Sequence, residues 1–419
     1  MVRKAASKKS ASRPAPRGTS HRPWAILGYF VADTTDRTTF DQRARTEVFS
    51  LCKSADLKSI GVSIHLDLKK EPGVFEATMT PSPDGRPRHE DLWATASTQP
   101  SLVSDVRYHS TDLNSAEAAT LRRFLVRARR NHPHKRYLTY FYGHTQGPLG
   151  LFDDRSPDGQ VQVMPVPEFA EAIDTATVVL CRNCFMNTVE TAVELHGVAE
   201  FLVGTQSKVP IDGTWPWVSL VANLMTTADS AEVADSIALE LGGYYAVEEN
   251  REGFGDVPYS LVSIGEVPRL RGPLTALTAI LEQSRGTPVE HAYAGALESA
   301  RFGNVNNPER PGDPALLDVG ALCRALLELP GDSAAGPAGA LLDALDEKLI
   351  PRHFSRKDVF SGVSVFYLPT LRSQLAVSLY TPSNRLPQVW RDRYPQLKFC
   401  DWTNWHTIAL NPLKPGPVS

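Results

Sequence analysis

Apolar strand-like segments alternate with amphipathic helical segments from residue 24 to residue 264. The first apolar run, WAILGYFVA at 24–32, has the length and composition of a buried strand. Residues 41–55 then carry apolar side chains at helical spacing, and residues 59–68 alternate and are rich in β-branched side chains. A strand, a helix and a second strand in this order form a βαβ unit, whose strands are parallel. The sequence therefore predicts an α/β fold with a mostly parallel central sheet.

The same alternation continues along the chain. Residues 74–108 predict a hairpin or an excursion at the edge of the sheet. A helix is predicted over 115–131, where Asn114 and Glu117 have the spacing of a capping box. The elements predicted after it are strand 136–142, helix 167–174, strand 175–181, helix 190–198, strand 200–206, helices 217–225 and 232–247, and strand 260–264.

Composition divides the chain into three segments. Residues 1–22 combine Lys and Arg with Ser, Ala and Pro and lack an apolar run, so we expect a disordered basic tail. Residues 23–265 carry the alternating pattern and are predicted to form one α/β domain. From 266 to 419 helical segments dominate, with two strand-like stretches at 362–369 and 376–382, so this part is predicted to be a mainly helical C-terminal region.

Charge and cysteine content limit the classes of protein to consider. A net charge of -3 gives no overall signal for binding nucleic acid. No apolar run is long enough to span a membrane, and the first residues lack the apolar segment of a signal peptide. The cysteines are odd in number and follow no regular framework, so we expect a reducing, cytoplasmic setting. They are Cys52, Cys181, Cys184, Cys323 and Cys400.

Two reactive side chains follow neighbouring strands of the predicted sheet. His144 comes just after strand 136–142, and Cys184 comes just after strand 175–181. In open parallel sheets this edge is where ligands bind and chemistry occurs. We therefore predict Cys184 as a nucleophile and His144 as its general base. A helix starting near Asn187 and Glu190 would point its positive end at the sulfur and favour the thiolate.

Other interpretations of the cysteines stay open at this point. A lone cysteine after an apolar strand is often a buried core residue. Cys181 and Cys184 also form a C-x-x-C pair, a spacing found in redox and metal-binding proteins, although a second such pair is not present. The position of Cys181 inside the apolar strand favours a core residue.

Four short motifs follow one another along the chain: YGH at 142–144, C-x-M-x-x-x-E at 184–190, FLVGTQ at 201–206 and P-x-D-G-x-W-P at 210–216. Taken together and in order, they resemble the clostripain-type cysteine peptidases of the caspase-like clan. The similarity extends over roughly residues 23 to 412 and implies a caspase-like α/β/α sandwich with a Cys–His dyad.

The resemblance implies roles for individual residues. Cys184 matches the nucleophile and His144 the catalytic histidine. The backbone N–H groups of Cys184 and Thr145 would form the oxyanion hole. Asp212 matches the acid that binds a basic P1 side chain, in a pocket walled by Trp215 where a guanidinium can be paired and stacked. A simple turn residue is the alternative for Asp212.

Members of this family are often made as proenzymes that are cleaved between the His and Cys segments. Between residues 145 and 183 the basic residues are Arg155 and Arg182. Arg182 is close to the predicted nucleophile and is expected to be held in the fold. Arg155 lies in a polar, turn-rich stretch of the kind that proteases cut. We therefore predict processing after Arg155.

The sequence also departs from the family pattern. Thr145 follows His144 where a glycine is usual, and Arg182 stands two residues before the cysteine, where an aspartate is frequent. The better-known relatives are secreted, whereas no export signal is predicted here. No D-x-D-x-D-G loop is present, so we predict no metal site and no cofactor, with calcium left open.

Together these observations predict a cytoplasmic cysteine endopeptidase that cuts protein substrates after Arg or Lys. It would be a zymogen, activated by autocleavage or by an upstream protease, with neither nucleic acid nor membrane as a partner. The alternatives are a catalytically inactive caspase-like module that binds a protein partner, and a C-x-x-C redox protein.

Overall fold

The computed structural model describes most of the chain from residue 23 to residue 414. The described residues are 23–33, 39–55, 57, 59–69, 74–79, 103–109, 113–133, 136–145, 147–155, 161–211, 213–251, 255–302, 316–331, 333–356, 360–367 and 391–414. The predicted tail at 1–22 and the predicted strand at 376–382 lie outside them.

The described residues contain both strands and helices throughout. The strands are β1 Trp24–Val31, β2 Gly61–Asp67, β3 Val74–Met79, β4 Val103–His109, β5 Arg136–Tyr142, β6 Leu151–Arg155, β7 Val161–Met164, β8 Ala176–Arg182, β9 Ala199–Thr205, β10 Tyr259–Ser263, β11 Arg301–Phe302, β12 Leu316–Asp318, β13 Arg352–Phe354 and β14 Ser364–Phe366. The α-helices are α1 Thr39–Ser54, α2 Ala118–Asn131, α3 Val166–Ile173, α4 Val189–Leu195, α5 Trp217–Thr226, α6 Ser230–Ala246, α7 Arg271–Gln283, α8 Glu290–Ser299, α9 Val319–Leu327, α10 Ala335–Ala344, α11 Lys398–Thr403 and α12 His406–Ala409. Short 3₁₀ segments occur at Gly147–Leu149, Glu248–Asn250, Ile264–Leu270 and Tyr394–Gln396.

A nine-stranded sheet runs through the centre, in the order β13-β10-β9-β8-β5-β1-β2-β3-β4. The five strands from β9 to β2 are parallel to one another, whereas the two strands at each end pair antiparallel. The prediction of a mostly parallel α/β fold is confirmed, as is a hairpin at one edge, made by β3 and β4. The strand predicted at 260–264 forms β10, which pairs antiparallel with β9 on one side and with β13 on the other. Strand β13 is too short to be predicted from its sequence.

Helices cover both faces of this sheet, because both faces of its central strands are apolar. In β1, Ala25, Leu27 and Tyr29 point to one core, and Trp24 and Ile26 point to the other. This alternation follows the two-residue period of a strand. Helices α1, α5 and α6 pack on the second face, and α2, α3 and α4 pack on the first. The result is the predicted α/β/α sandwich.

The C-terminal helices belong to the first of these cores. Buried residues of α7, α8, α9 and α10 form one hydrophobic cluster with buried residues of β1, β5 and β8. The composition change near residue 265 therefore does not separate two cores, and the C-terminal region completes one layer of the sandwich. Within the described ranges, no helix has the length and apolarity that crossing a membrane requires.

Two predicted helix starts differ from the structure. The helix predicted over 115–131 begins at Ala118, because Asn114 forms a turn in which its side-chain oxygen accepts the N–H of Ala116 at 2.9 Å. The helix predicted from Glu190 begins at Val189, and Thr188 caps it by accepting the N–H of Thr191. Asn187 instead donates to the carbonyl oxygens of Gly204 and Ser260.

Candidate active site

The loops after β5 and β8 lie side by side at the carboxyl edge of the sheet. The two strands are parallel neighbours, and Tyr142 is in register with Arg182, the last residue of β8. His144 and Cys184 each follow these paired residues by two positions. The structure therefore brings the predicted histidine and the predicted nucleophile to the same edge, as their positions in the sequence indicate.

Asn183 ties the two loops together. It is fully buried, and its side-chain amide donates to the carbonyl oxygen of Gly143 at 2.8 Å and, more weakly, to that of His144 at 3.5 Å. Glycine is favoured at position 143, because its φ of 156° is rarely adopted by other residues and a Cβ there would lie 3.1 Å from the carbonyl oxygen of Val31. Asn183 was missed in the sequence analysis. Its signal was a polar amide placed between an apolar strand and the predicted nucleophile.

The backbone and the ring of His144 both have fixed neighbours. Its carbonyl oxygen accepts the N–H of Phe152 at 2.8 Å, and its ring stacks on Phe40 of α1 with ring centres 4.7 Å apart. Thr145 holds the turn that follows: its hydroxyl donates to the carbonyl oxygen of Gly150 and accepts the N–H of Gly147, both at 3.0 Å. Phe40 therefore orients the imidazole ring, and backbone hydrogen bonds hold the loop that carries it.

Cys184 differs from the other four cysteines because its side chain is partly exposed, whereas theirs are buried. Its sulfur accepts the backbone N–H of Val209 at 3.4 Å. A hydrogen bond donated to sulfur favours the thiolate, which is the nucleophilic form. Phe185, the next residue, has a left-handed φ of 55° and donates its N–H to the carbonyl oxygen of Ser207 at 2.9 Å. The chain thus turns sharply after the cysteine.

The predicted contribution of a helix dipole to Cys184 is not supported by this geometry. Helix α4 has only seven residues and begins five positions after the cysteine, with Thr188 as its cap. Polar groups near the sulfur include the backbone N–H of Val209 at 3.4 Å and its carbonyl oxygen at 4.0 Å, both in the segment after β9.

Cys181 is fully buried in the core of the sandwich. Burial raises the pKa of its thiol well above the usual range, so this thiol stays protonated. Its carbonyl oxygen accepts the hydroxyl of Tyr259 at 2.7 Å. This environment is that of a core residue, as predicted, and it is the opposite of what a reactive member of a redox pair requires.

Arg182 is a fully buried arginine two residues before the cysteine. Its guanidinium contacts the carboxylate of Glu47, on α1, at 2.7 Å. It also donates to the carbonyl oxygens of Pro210 at 3.3 Å and Gly213 at 3.1 Å. Burial by itself lowers the pKa of Arg182, but the charge of Glu47 acts against burial, and the net pKa lies well above the ordinary value. The guanidinium therefore stays charged.

Glu47 accepts further hydrogen bonds through its two carboxylate oxygens. Its donors are the backbone N–H of Trp215 at 3.2 Å, the indole N–H of Trp217 at 2.9 Å and the hydroxyl of Tyr140 at 3.1 Å. A buried carboxylate needs such partners as well as its counter-ion. Nothing in the local sequence of α1 indicates them, because they come from β5 and from the residues that follow β9.

Comparison with known proteins identifies the family to which this chain belongs. The model of the clostripain family (peptidase C11) matches residues 90–298, a stretch that contains His144, Asn183 and Cys184. The chain belongs to the clostripain family. It is therefore a cysteine peptidase, and its caspase-like fold is that of the family. No curated protein matches it by sequence.

Solved structures of clostripain-family peptidases share the fold over nearly the whole chain. An inactive zymogen C11 protease from Parabacteroides distasonis aligns with a TM-score of 0.64 at 15% identity, over 92% of this chain and 99% of that one. A secreted C11 cysteine protease from Bacteroides thetaiotaomicron, in complex with an irreversible peptide inhibitor, aligns with a TM-score of 0.62 at 16% identity. The alignment covers 92% of this chain and 100% of that one.

The surroundings of Trp215 in this clostripain-family chain differ from the predicted ones. The indole was expected to wall a pocket for a substrate guanidinium. In the structure it is buried, donates to the hydroxyl of Tyr245 at 2.8 Å, and faces the guanidinium of Arg182 at 5.3 Å. The chain's own arginine thus occupies the face of this ring. Asp212 lies outside the described residues, between Ile211 and Gly213.

The predicted processing site also lies in a different setting. Arg155 was expected in a polar loop, but it is the last residue of β6 and pairs with Val161 of β7. The two strands form a hairpin, and residues 156–160 between them lie outside the described part. Among the described residues, no group of three or more His, Cys, Asp or Glu side chains is placed to hold a metal ion.

Proposed function

We propose that this peptidase is a zymogen-derived endopeptidase that cleaves proteins after Arg or Lys, with Cys184 as nucleophile and His144 as general base. The observation that supports this proposal best is the environment of Cys184. It is the one partly exposed cysteine, it receives a backbone N–H, and it lies at the same sheet edge as His144.

The chemistry follows from these two groups. His144 takes the proton of the Cys184 thiol, and the thiolate attacks the carbonyl carbon of the scissile peptide bond. The negative oxygen that forms would be stabilised by the backbone N–H groups of Cys184 and Thr145. His144 then returns its proton to the leaving amine, and the C–N bond breaks to give a thioester. Water, deprotonated by His144, attacks the thioester and releases the acid and the free thiol.

Basic specificity is assigned to Asp212, which lies on the segment between β9 and α5. A carboxylate there would pair with the guanidinium or ammonium group of a P1 side chain. Arg182 does not oppose this, because its charge is offset by Glu47 at 2.7 Å. In this proposal the role of Trp215 changes from pocket wall to internal support.

Activation is assigned to cleavage after Arg155, either by the enzyme itself or by an upstream protease. Arg155 has the residue type that the proposed specificity requires and is the last residue of a strand in a hairpin between the His and Cys segments. N-terminal sequencing of the active enzyme should find a new terminus at Ser156. An active enzyme with an intact 155–156 bond would contradict this assignment.

One assay tests the catalytic proposal. Cleavage of a fluorogenic peptide with Arg at P1 is measured for the wild type and for Cys184→Ala, His144→Ala, Cys181→Ala and Asp212→Ala. Loss of Cys184 or His144 should lower kcat by about 10⁴-fold or more, whereas Cys181→Ala should be active. Asp212→Ala should lose the preference for Arg over Ala at P1.

The alternative functions predict different results in this assay. A wild type that is inert even after limited tryptic nicking would indicate a binding module, for which Thr145 and Arg182 would mark lost activity. Equal loss on replacing Cys181 and Cys184 would indicate redox chemistry.

A further inference from the structure

We infer that the buried pair of Arg182 and Glu47 positions the specificity segment, which we define as residues 209–217, relative to the nucleophile. The inference rests on the proposed function, because this segment carries Asp212. It concerns two residues that do not contact the reacting atoms, and it assigns them to substrate recognition and not to the chemistry at sulfur.

The ion pair contacts the specificity segment along most of its length. Arg182 donates to the carbonyl oxygens of Pro210 and Gly213, which lie on either side of Asp212 in the chain. Glu47 accepts the backbone N–H of Trp215 and the indole N–H of Trp217, where α5 begins. Backbone groups in a segment without regular structure need such partners when they are buried. The pair supplies them for the buried residues Pro210, Trp215 and Trp217, and it also bonds to the exposed Gly213.

The other end of the segment is attached to the nucleophile itself. Val209 donates its N–H to the sulfur of Cys184, and Arg182 is only two residues from that cysteine along the chain. Cys184 therefore fixes the beginning of the segment, and the ion pair fixes its middle and end. The distance between a bound P1 side chain and the attacking sulfur depends on both attachments.

An arginine suits this position better than a lysine. Its planar fork reaches one carboxylate and two carbonyl oxygens in different directions, whereas an ammonium group is a compact point charge. The guanidinium carbon also lies 5.3 Å from the ring centre of Trp215 and 5.9 Å from that of Tyr142. These cation–π contacts hold the plane of the fork between two aromatic rings.

The test is Arg182→Lys, which keeps the charge and removes the fork, with Arg269→Lys as the matched control. Arg269 forms a bidentate ion pair with Asp346, and both side chains are partly exposed. Both residues lie far along the chain from the site. Hydrogen–deuterium exchange of residues 209–217 is measured in both variants. We expect exchange at least about tenfold faster in Arg182→Lys and unchanged in Arg269→Lys.

Kinetics separate positioning from a general structural effect. For a peptide with Arg at P1, Arg182→Lys should raise KM about tenfold and leave kcat within about threefold. The rate at which iodoacetamide alkylates Cys184 should stay within about twofold of the wild type. Unchanged exchange in a folded Arg182→Lys would overturn the inference. The inference would also be overturned if kcat and the alkylation rate of Arg182→Lys fell by as large a factor as KM rose.

A second variant covers the case in which Arg182→Lys does not fold. Arg182→Met/Glu47→Gln removes both charges, a replacement that buried ion pairs often tolerate. Fast exchange at 209–217 in this folded variant supports the inference. Failure of this variant to fold overturns it, because the pair would then be needed for folding as a whole. If the wild type cleaves no basic peptide, the proposed function fails, but the exchange result still decides whether the pair positions the segment.

Discussion

Glu47 and Glu190 are two buried glutamates on opposite faces of the sheet, near the end of β8, the strand that leads to Cys184. Glu47 faces a guanidinium, that of Arg182, as well as N–H and O–H donors. For Glu190, the donors are the N–H of Phe366 at 2.8 Å and the hydroxyl of Tyr394 at 2.6 Å, both neutral. A glutamate side chain thus makes a charged contact on one face of the sheet, whereas another glutamate contacts only neutral donors on the other face.

The neutral surroundings of Glu190 affect its protonation. Burial raises the pKa of Glu190 to about 7, although the hydrogen bonds from Tyr394 and Phe366 act to lower it. The neutral contact joins α4 to the C-terminal region, and the charged contact binds the segment at residues 209–217. The two faces should therefore respond differently to pH and to neutral substitutions.

The largest effect is expected for Glu47→Gln, which removes the charge that faces the buried guanidinium of Arg182. Breaking a buried ion pair in this way should lower the free energy of unfolding by about 3 kcal/mol. The control is Glu282→Gln, which breaks a partly exposed pair with Arg285 and should cost less than about 1 kcal/mol. Urea denaturation at pH 7 measures both. Similar losses of unfolding free energy in the two variants would show that burial does not make the Glu47 ion pair more important for stability than an exposed pair.

The next effect is a dependence of stability on pH that arises from Glu190. Its folded pKa, about 7, lies above the ordinary value of 4.5. Between these two values the folded state binds a proton that the unfolded state has released, so stability falls as pH rises from about 4.5 to 7. The full loss is on the order of 3 kcal/mol at pH 8, by the conversion of one pKa unit to about 1.4 kcal/mol.

Glu190→Gln tests this dependence, because the amide cannot ionise. The difference in unfolding free energy between variant and wild type should move in favour of the variant as pH rises from 5 to 8. A difference that stays constant across this range would place the titration elsewhere.

Asn183→Ala should have a smaller effect on stability and a specific effect on catalysis. It removes the buried hydrogen bond to the Gly143 carbonyl oxygen and the weaker one to that of His144, which together cost about 1–2 kcal/mol. Because these bonds hold the loop that carries His144, kcat should fall by about tenfold or more while KM changes little. Asn187→Ala is the control, since Asn187 bonds to β9 and β10 instead. Equal losses of kcat in both variants would argue against a positioning role for Asn183.

The smallest effect is expected for Cys181→Ala, which replaces a buried thiol by a methyl group. A loss of about 1 kcal/mol or less in unfolding free energy is expected, with activity retained. This variant gives the baseline for an uncharged core position, against which the two glutamates are compared. Loss of activity at the level of Cys184→Ala would contradict the assignment of Cys181 to the core.

Local patterns in the sequence were enough to predict the strands that carry the site. The apolar runs before His144 and Cys184 appear as β5 and β8, and their parallel pairing follows from the βαβ order. The edge strand β13 was missed because its three residues are only half-buried and show no pattern. The contacts of Arg182 were missed for another reason: Glu47 is 135 residues away in the chain, and no local pattern specifies such a pairing. The role of Asn183 was missed for the same reason, because its partner Gly143 follows a different strand, β5.

The β6–β7 hairpin bears on the fate of the protein after a cut at Arg155. The cut would produce an amino-terminal piece ending at residue 155 and a carboxyl-terminal piece starting at residue 156. In the sheet, β5 of the first piece is hydrogen-bonded to β8 of the second, and β6 is hydrogen-bonded to β7 across the break. After such a cut the two pieces would therefore complement each other as one interleaved heterodimer, with the histidine and the cysteine on different polypeptides. They should migrate as a single particle in gel filtration and separate only in denaturant.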